Sequence, residues 1–253
     1  MPQSLPIETQ TAAVTGASRG VGAAIARALH RSGYRVILAD IDEAACDSLA
    51  EELDLASEMA LTARLDISRP DDFEHVLEKC VSRWSSVEVL VNNAAVTKAH
   101  PVLDIDTAEF NEVMAVNAGG TFTGCCVFGP HFKDRGYSRI INMASLAGQN
   151  GGTATGAHYA ASKGAILTLT KVFARDLAPF GITVNAISPG PMDTSMVHSI
   201  VSDEARAGFL KNIPVGVLGD PNFIGDMAVF LAAPKASFVN GACWGVNGGL
   251  YVR

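Results

Sequence analysis

The sequence predicts an α/β fold, a doubly wound parallel sheet with helices on both faces, formed by one domain over residues 1–253. Short apolar runs alternate with helical segments along the chain, and a glycine-rich turn follows the first run. No Pro/Ser-rich linker or block of charge divides the 253 residues, and α/β folds of this size commonly form a single unit.

The first predicted unit is a strand, a glycine turn and a helix. An apolar run occupies residues 11–15, and the turn over residues 15–22 reads Thr-Gly-Ala-Ser-Arg-Gly-Val-Gly. Apolar side chains then recur at helical spacing over residues 21–29. This order predicts a helix whose N-terminus lies directly after the turn.

The following segments repeat the alternation of strand and helix. A strand over residues 34–39 ends at Asp40, and the Ala-, Glu- and Leu-rich residues 43–53 predict a helix. Three later apolar runs, residues 87–91, 139–143 and 182–187, each follow a helical stretch, so the strands are expected to be mostly parallel. The last strand is expected near residues 242–246, close to the chain end. The longer, less regular stretch 191–217 is the expected substrate-loop insert.

Composition and charge exclude several classes of function. The chain is 48% hydrophobic and 18% charged with a mean hydropathy of +0.22, as expected of a soluble globular protein. A net charge of −7 and a pI near 5.3 argue against a nucleic-acid partner. The first residues resemble no signal peptide, and no stretch has the length of a membrane span. We therefore expect a cytoplasmic protein.

Cysteine and histidine usage gives no metal or disulfide framework. The five cysteines lack paired spacing and are expected to be mostly buried free thiols. The six histidines show no pair at a metal-ligand spacing. We expect no metal site.

The glycine turn has the chemistry of a dinucleotide site. Gly16, Gly20 and Gly22 are spaced Gly-x-x-x-Gly-x-Gly, which places bare backbone against a pyrophosphate at a helix N-terminus. The chain has no Gly-Lys-Ser/Thr P-loop, which disfavours a nucleotide triphosphatase.

Two residues near this turn give opposite indications about the coenzyme. Asp40 lies where an acid would bond the adenosine ribose and repel a 2′-phosphate, which favours NAD. Arg19 could instead bind that phosphate and favour NADP. The non-functional interpretations are a helix cap near Asp42 for Asp40, and a solvated loop charge for Arg19.

The pair Tyr159 and Lys163 indicates proton transfer. Residues four apart share a helix face, so the Lys163 ammonium is predicted to favour the ionised Tyr159 phenol. Lowering a phenol pKa by roughly three units requires about 4 kcal/mol. An isolated pair of this kind is usually a surface contact, but here it follows a glycine turn and an acid-terminated second strand in the same chain.

The chain resembles the short-chain dehydrogenase/reductase family of the single-domain type over nearly its whole length. The matching segments are residues 15–22, Leu65-Asp66-Ile67, Asn92-Asn93-Ala94-Ala95, Val116-Asn117, Ser145, residues 159–163, 185–190 and 241–249. The resemblance implies a Rossmann-type fold, an oxidoreductase activity, a nicotinamide coenzyme and a homotetramer.

The resemblance also implies a role for individual residues. The catalytic residues would be Asn117, Ser145, Tyr159 and Lys163. The coenzyme would be bound by Gly16, Ser18, Arg19, Gly20, Val21, Gly22, Asp40, Ile41, Asp66, Ile67, Asn93, Ala94, Ala95, Tyr159, Lys163, Pro189, Gly190 and Thr194. Three positions depart from the family pattern: Ala95 replaces a usual glycine, Asn247 a common aspartate and Val217 a frequent arginine.

Three functions are therefore considered. The first is an NAD(H)-dependent oxidoreductase that interconverts a secondary alcohol and a ketone. The alternative is an NADP(H)-dependent ketoreductase similar to a 3-oxoacyl carrier-protein reductase, supported by Arg19. The third, of a different class, is a dinucleotide-binding regulator without catalysis, which the four implied catalytic residues argue against.

The substrate pocket and the subunit interface are expected on particular segments. Val96, Thr97 and residues 149–158 should line the pocket together with the insert, and Lys98 leaves an anionic substrate possible. Residues 110–132 and the helix after Lys163 offer apolar surface for contacts between subunits; their other interpretation is that each covers its own sheet.

Overall fold

The computed structural model describes residues 10–56, 58–152, 155–194 and 210–252. Within these ranges seven parallel strands form one sheet in the order β3-β2-β1-β4-β5-β6-β7. The strands are β1 (Thr11–Thr15), β2 (Arg35–Asp40), β3 (Ala60–Arg64), β4 (Val89–Asn92), β5 (Ser138–Met143), β6 (Ile182–Pro189) and β7 (Cys243–Val246). The predicted doubly wound parallel sheet is confirmed.

Helices cover both faces of this sheet. They are α1 (Gly20–Arg31), α2 (Glu43–Leu53), α3 (Pro70–Trp84), α4 (Thr107–Met114), α5 (Gly120–Arg135), α6 (Ala147–Asn150), α7 (Ala157–Leu177) and α8 (Pro221–Ala232). A π-helical segment, Ala115–Gly119, joins α4 to α5 without a break. Short 3₁₀ turns occupy Val102–Asp104, Ala178–Phe180 and Pro234–Ala236.

Successive residues of the central strands face opposite helix layers. Val14 of β1 packs in a cluster with Ile25 of α1 and Ile224 of α8. Its neighbour Ala13 belongs to a second cluster with Phe128 of α5 and other residues of α3 and α7. Because both faces are buried, the strands read as continuous apolar runs and not as an alternation.

The sequence did not single out β3, and the structure gives the reason. This strand lies at the edge of the sheet, where Leu61, Thr62 and Arg64 are partly or fully exposed, so it lacks the continuous apolar run of the inner strands. The predicted insert is described only at residues 191–194 and 210–217; its centre, residues 195–209, lies outside the described residues.

The strand order reverses between β1 and β4. From this point the chain builds β2 and β3 on one side and β5 to β7 on the other. In open α/β sheets the crevice at such a switch point, beyond the carboxyl ends of the strands, is where ligands bind. The glycine turn after β1 and the loop after β4 both lie at this edge.

Candidate active site

The glycine turn is held rigidly by the loop that follows β4. Gly16 and Gly20 have φ angles of +65° and +57°, which glycine adopts without a Cβ clash. The Asn93 amide donates to Thr15 O at 2.9 Å and to Gly16 O at 3.0 Å, while Thr15 Oγ1 accepts from the backbone N–H of Asn93 at 2.9 Å. Asn93, predicted to bind coenzyme, therefore also braces the turn.

The N-terminus of α1 suits an anion. Its N-cap residue, Arg19, makes no side-chain cap bond, and the first turn contains no acidic residue. Gly22 in that turn has no room for a side chain, because a Cβ would lie 1.9 Å from Gly16 O. Free backbone amides and the positive end of the helix dipole then face the switch point. These residues fit the pyrophosphate of a dinucleotide.

Asp40 lies beside the turn at the end of β2. Its Oδ2 accepts from the backbone N–H of Ser18 at 3.0 Å, and its Oδ1 accepts from that of Asp42 at 3.1 Å. Asp42, and not Asp40, is the N-cap of α2, since it accepts from Ala45 N at 3.2 Å. The cap interpretation of Asp40 is therefore wrong. Arg19 is exposed, as a solvated loop charge would be.

Three residues expected to bind the coenzyme follow strands β2 and β3, and they differ in exposure. Ile41 is 62% exposed beyond the end of β2, whereas the Ile67 side chain is buried against Gly120. The Asp66 carboxylate accepts from Ser68 N at 3.0 Å and from Ser68 Oγ at 2.7 Å, and these bonds hold the pKa of Asp66 below its usual value. Of the three, only Ile41 is largely exposed.

The structure brings Ser145, Tyr159 and Lys163 together at the carboxyl end of β5. Ser145 follows the strand, and its Oγ accepts from Ala147 N at 3.1 Å. Lys163 is 3% exposed, donates to Met143 O at 2.7 Å, and has its Nζ 5.7 Å from the centre of the Tyr159 ring.

The protonation of this group differs from the sequence expectation. Burial raises the pKa of Tyr159, and the hydrogen bond from Ser145 lowers it only in part. Burial also lowers the pKa of Lys163 to about 8. The predicted effect of Lys163 on the phenol is not the dominant one here, because its ammonium is bonded to Met143 O and lies over the ring.

Asn117 lies in the π-helical segment and is fully buried. Its amide donates to Val96 O at 2.9 Å and to Ser162 Oγ at 3.0 Å, while its Oδ1 accepts from Val96 N at 2.8 Å. Ser162 Oγ in turn donates to Tyr159 O at 2.8 Å. Ser162, which the sequence reasoning missed, therefore links Asn117 to Tyr159; its position three residues after Tyr159 on one helix face was the available signal.

Pro189 and Gly190, which are expected to bind the coenzyme, lie at the carboxyl end of β6. Gly190 N donates to Val246 O at 2.7 Å, and Pro189 O accepts from Leu146 N at 2.9 Å. Thr194 is the last described residue before residues 195–209. Its predicted contact is therefore flanked by residues that the structure does not describe.

The structure accommodates the three departures from the family pattern. Ala95 is exposed, so its methyl group meets no crowded interior. Asn247 accepts from Gly249 N at 3.0 Å and uses its amide to donate to Tyr251 O at 3.1 Å, a bond that an aspartate could not donate when ionised. Val217 is 62% exposed.

Two residues assigned to the pocket are paired with other side chains. His158 is fully buried and hydrogen-bonded to Glu109 at 2.7 Å. Lys98 donates to Glu112 at 2.8 Å. Within the described ranges no cluster of potential metal ligands occurs, and no helix there is long and apolar enough to cross a membrane.

None of the five cysteines forms a disulfide. Cys46, Cys80 and Cys125 are buried, Cys243 is partly exposed and Cys126 is exposed. Burial raises the pKa of the Cys46 thiol to about 12, so this group is inert at neutral pH. The expectation of mostly buried thiols is confirmed for three of the five.

Known proteins with similar sequences indicate the family of this chain. A family model described as enoyl-(acyl carrier protein) reductase matches residues 16–251. The 3-oxoacyl-(acyl-carrier-protein) reductase FabG of Vibrio cholerae is 36% identical over 249 residues, covering 97% of this chain and 99% of the relative. The Escherichia coli FabG is 35% identical over 248 residues, covering 97% and 98%.

A solved structure gives the same result. A short chain dehydrogenase from Bacillus anthracis superposes with a TM-score of 0.90 at 27% identity, covering 98% of both chains. The chain therefore belongs to the short-chain dehydrogenase/reductase family. It is an oxidoreductase that acts on CH–OH groups with a nicotinamide dinucleotide.

Proposed function

We propose that this protein reduces the ketone of a 3-oxoacyl thioester to a secondary alcohol, and catalyses the reverse reaction. The observation that supports the chemistry is the meeting of Ser145, Tyr159 and the buried Lys163 at the carboxyl end of β5: Ser145 lowers the pKa of Tyr159, and the Lys163 Nζ lies 5.7 Å from the centre of the Tyr159 ring. The shared name of the FabG relatives supports the substrate class. The comparisons thus favour the 3-oxoacyl reductase alternative over the wider secondary-alcohol interpretation.

Each residue of the site has a definite task in this reaction. The coenzyme supplies or accepts the hydride. Ser145 donates a hydrogen bond to the substrate oxygen as negative charge grows there, which stabilises the transition state more than the ground state. Tyr159 gives its hydroxyl proton to that oxygen during reduction and takes it back during oxidation.

Lys163 and Asn117 support the proton transfer. Lys163 bonds Met143 O with one N–H and retains two further N–H donors, suited to ribose hydroxyls. Its positive charge would favour a Tyr159 phenolate once the proton has left. Asn117 bonds the Val96 backbone and Ser162, and so connects the segment after β4 to helix α7.

The decisive experiment compares Tyr159→Phe with the wild type in reduction of acetoacetyl-CoA and oxidation of a panel of secondary alcohols. We expect thioester reduction by the wild type and a loss of about 1,000-fold, the middle of the usual range of acid–base catalysis, in the variant. Tyr137→Phe is the matched control, because its hydroxyl donates to Ala232 O at the opposite edge of the sheet. Activity on alcohols but not on thioesters would refute the substrate class, and tight coenzyme binding without turnover would support the regulator.

For the coenzyme we propose NAD(H), on the position of the Asp40 carboxylate. It lies within 3.0 Å of Ser18 N beside the glycine turn, where a 2′-phosphate would meet its negative charge. Asp40→Asn should raise the NADPH-to-NADH ratio of kcat/KM by about 10- to 100-fold, since roughly 1.4 kcal/mol corresponds to tenfold. A wild type that prefers NADPH and loses that preference in Arg19→Ala would instead assign the coenzyme to Arg19.

We also propose that the protein is a cytoplasmic homotetramer and does not bind nucleic acid. On α5, Phe128 and Phe132 are fully buried against the sheet, but Phe122 on the other face is 49% exposed and its ring centre lies 5.9 Å from that of Phe173 on α7. These helices therefore cover their own sheet and still offer apolar surface to a second copy. Sizing in solution tests this, and a monomer would refute the interface.

A further inference from the structure

His158 is a fully buried titratable side chain that the reaction above does not use. Its Nδ1 lies 2.8 Å from the backbone N of Tyr159, and its Nε2 lies 2.7 Å from Glu109 Oε1. A backbone N–H is only a donor, so Nδ1 accepts and the ring proton is on Nε2, which donates to Glu109. Both nitrogens of the imidazole are thus engaged.

The imidazole takes the place of a helix cap. Helix α7 begins at Ala157, and its N-cap, Gly156, has no side chain to accept from the first amides. The N–H of Tyr159 is one of the four amides without a partner inside the helix, and His158 Nδ1 accepts it. A Cβ on Gly156 would lie 2.3 Å from His158 Cε1, so glycine here leaves space for the ring.

Glu109 holds the imidazole from helix α4. Its own N–H donates to the capping carboxylate of Asp106 at 2.8 Å, which fixes the start of the helix. Its carboxylate also lies 2.9 Å from Nδ1 of His100. The hydrogen bonds from His158 and His100 lower the pKa of Glu109, which keeps it ionised as an acceptor.

The backbone of Tyr159 is therefore held on two sides. Its N–H donates to His158, which is in turn bonded to Glu109, and its C=O accepts from Ser162, which is bonded to Asn117. Glu109 and Asn117 belong to one continuous helical stretch, α4 and the π-helical segment. A displacement of this stretch would move the Tyr159 hydroxyl relative to Ser145.

We propose that Glu109 and His158 are positioning residues for Tyr159 in the reaction under Proposed function, on which this inference rests. The pair fixes the first turn of α7, and with it the distance between the Tyr159 hydroxyl and the substrate oxygen. Small misplacements of a reacting group reduce the rate strongly without weakening ground-state binding. The expected signature is a lower kcat at an unchanged KM.

Kinetics of four variants test this signature. Glu109→Ala and His158→Ala should lower kcat by about 10- to 100-fold and leave KM and coenzyme affinity within twofold, as loss of orientation predicts. Glu109→Gln keeps an acceptor for His158 and should retain kcat within about threefold. Glu112→Ala is the matched control on the same helix, since Glu112 makes only an exposed pair with Lys98 among the described contacts. Equal effects of Glu109→Ala and Glu112→Ala would overturn the proposal.

Hydrogen exchange of the Tyr159 amide provides a readout that does not depend on activity. Exchange at this amide should be at least tenfold faster in Glu109→Ala than in the wild type, and unchanged in Glu112→Ala, because only the first loses the acceptor geometry. An inactive wild type with this difference would refute the proposed function and support the positioning pair. An active wild type whose Tyr159 exchange and kcat are both insensitive to Glu109→Ala would refute the pair alone.

Discussion

Two buried cations lie at the two ends of strand β5 and serve different purposes. Arg139, near the start of the strand, is 2% exposed, and Lys163, bonded to the last residue of the strand, is 3% exposed. In the described part of the chain neither has a carboxylate within ion-pair distance. Burial lowers the pKa of both groups, that of Lys163 to about 8.

The two cations differ in where their N–H donors point. The Arg139 guanidinium donates to Ser138 O at 2.9 Å and to Gly181 O and Pro234 O at 3.4 Å, and it stacks over the Tyr137 ring at 4.3 Å. It thereby joins three segments of the chain. Lys163 has one such bond, to Met143 O. Lys163 thus bonds a single carbonyl at the carboxyl end of the sheet, where ligands bind, whereas Arg139 bonds the carbonyls of three segments and holds the fold.

Lys163→Met should separate activity from folding most clearly. It should lower kcat/KM by about 1,000-fold, the middle of the usual range for a proton-transfer group, because the charge that favours the Tyr159 phenolate is lost. Its melting temperature at pH 7 should not fall, since a buried charge is removed with it. The steady-state assay and a thermal melt check both. Activity within tenfold of the wild type would contradict the catalytic role that distinguishes Lys163 from Arg139.

Arg139→Met should show the opposite pattern. The free energy of unfolding should fall by about 3 kcal/mol, because buried carbonyls of three segments lose their donor. The kcat and KM of the folded protein should stay unchanged. Urea titration with activity per folded molecule measures this. Arg175→Met, at a 74% exposed side chain, is the control and should leave stability unchanged; a catalytic defect in Arg139→Met would contradict the division of roles.

The fold could be predicted from the sequence because its inner strands are apolar throughout. The glycine turn and the acid at the end of β2 also have fixed places in a doubly wound sheet. Strand β3 was missed because a strand at the sheet edge buries only part of its residues. Boundaries moved by one or two residues where polar neighbours extend a strand, as Asn92 extends β4.

The sequence could predict which residues form the candidate site, but not the hydrogen bonds that connect them. Ser145, Tyr159 and Lys163 meet as expected, whereas the link from Asn117 through Ser162 depends on a π-helical segment that no sequence period indicates. Glu109 meets His158 across 49 positions of the chain. The pKa of Tyr159 was misjudged because helical spacing gives the distance to a charge but not the cost of burial.

The smallest expected effect that tests the comparison of Lys163 with Arg139 is the pH dependence of stability. The pKa of Lys163 is about 8 in the folded protein, against 10.5 for an ordinary lysine in the unfolded chain. Below pH 8 the side chain is therefore protonated in the folded and in the unfolded protein, and the folded protein carries a buried charge. Between these values the unfolded chain binds more protons, so the contribution of Lys163 to stability rises with pH.

This rise should amount to roughly 3 kcal/mol at most, since one pKa unit corresponds to about 1.36 kcal/mol. The difference in unfolding free energy between the wild type and Lys163→Met removes the effect of other titrating groups. It should therefore move in favour of the wild type from pH 8 to pH 10.5. Parallel stability curves would mean that the ammonium at the carboxyl end of β5 is solvated, and that its two further N–H donors are bound to water and not held ready for a ligand.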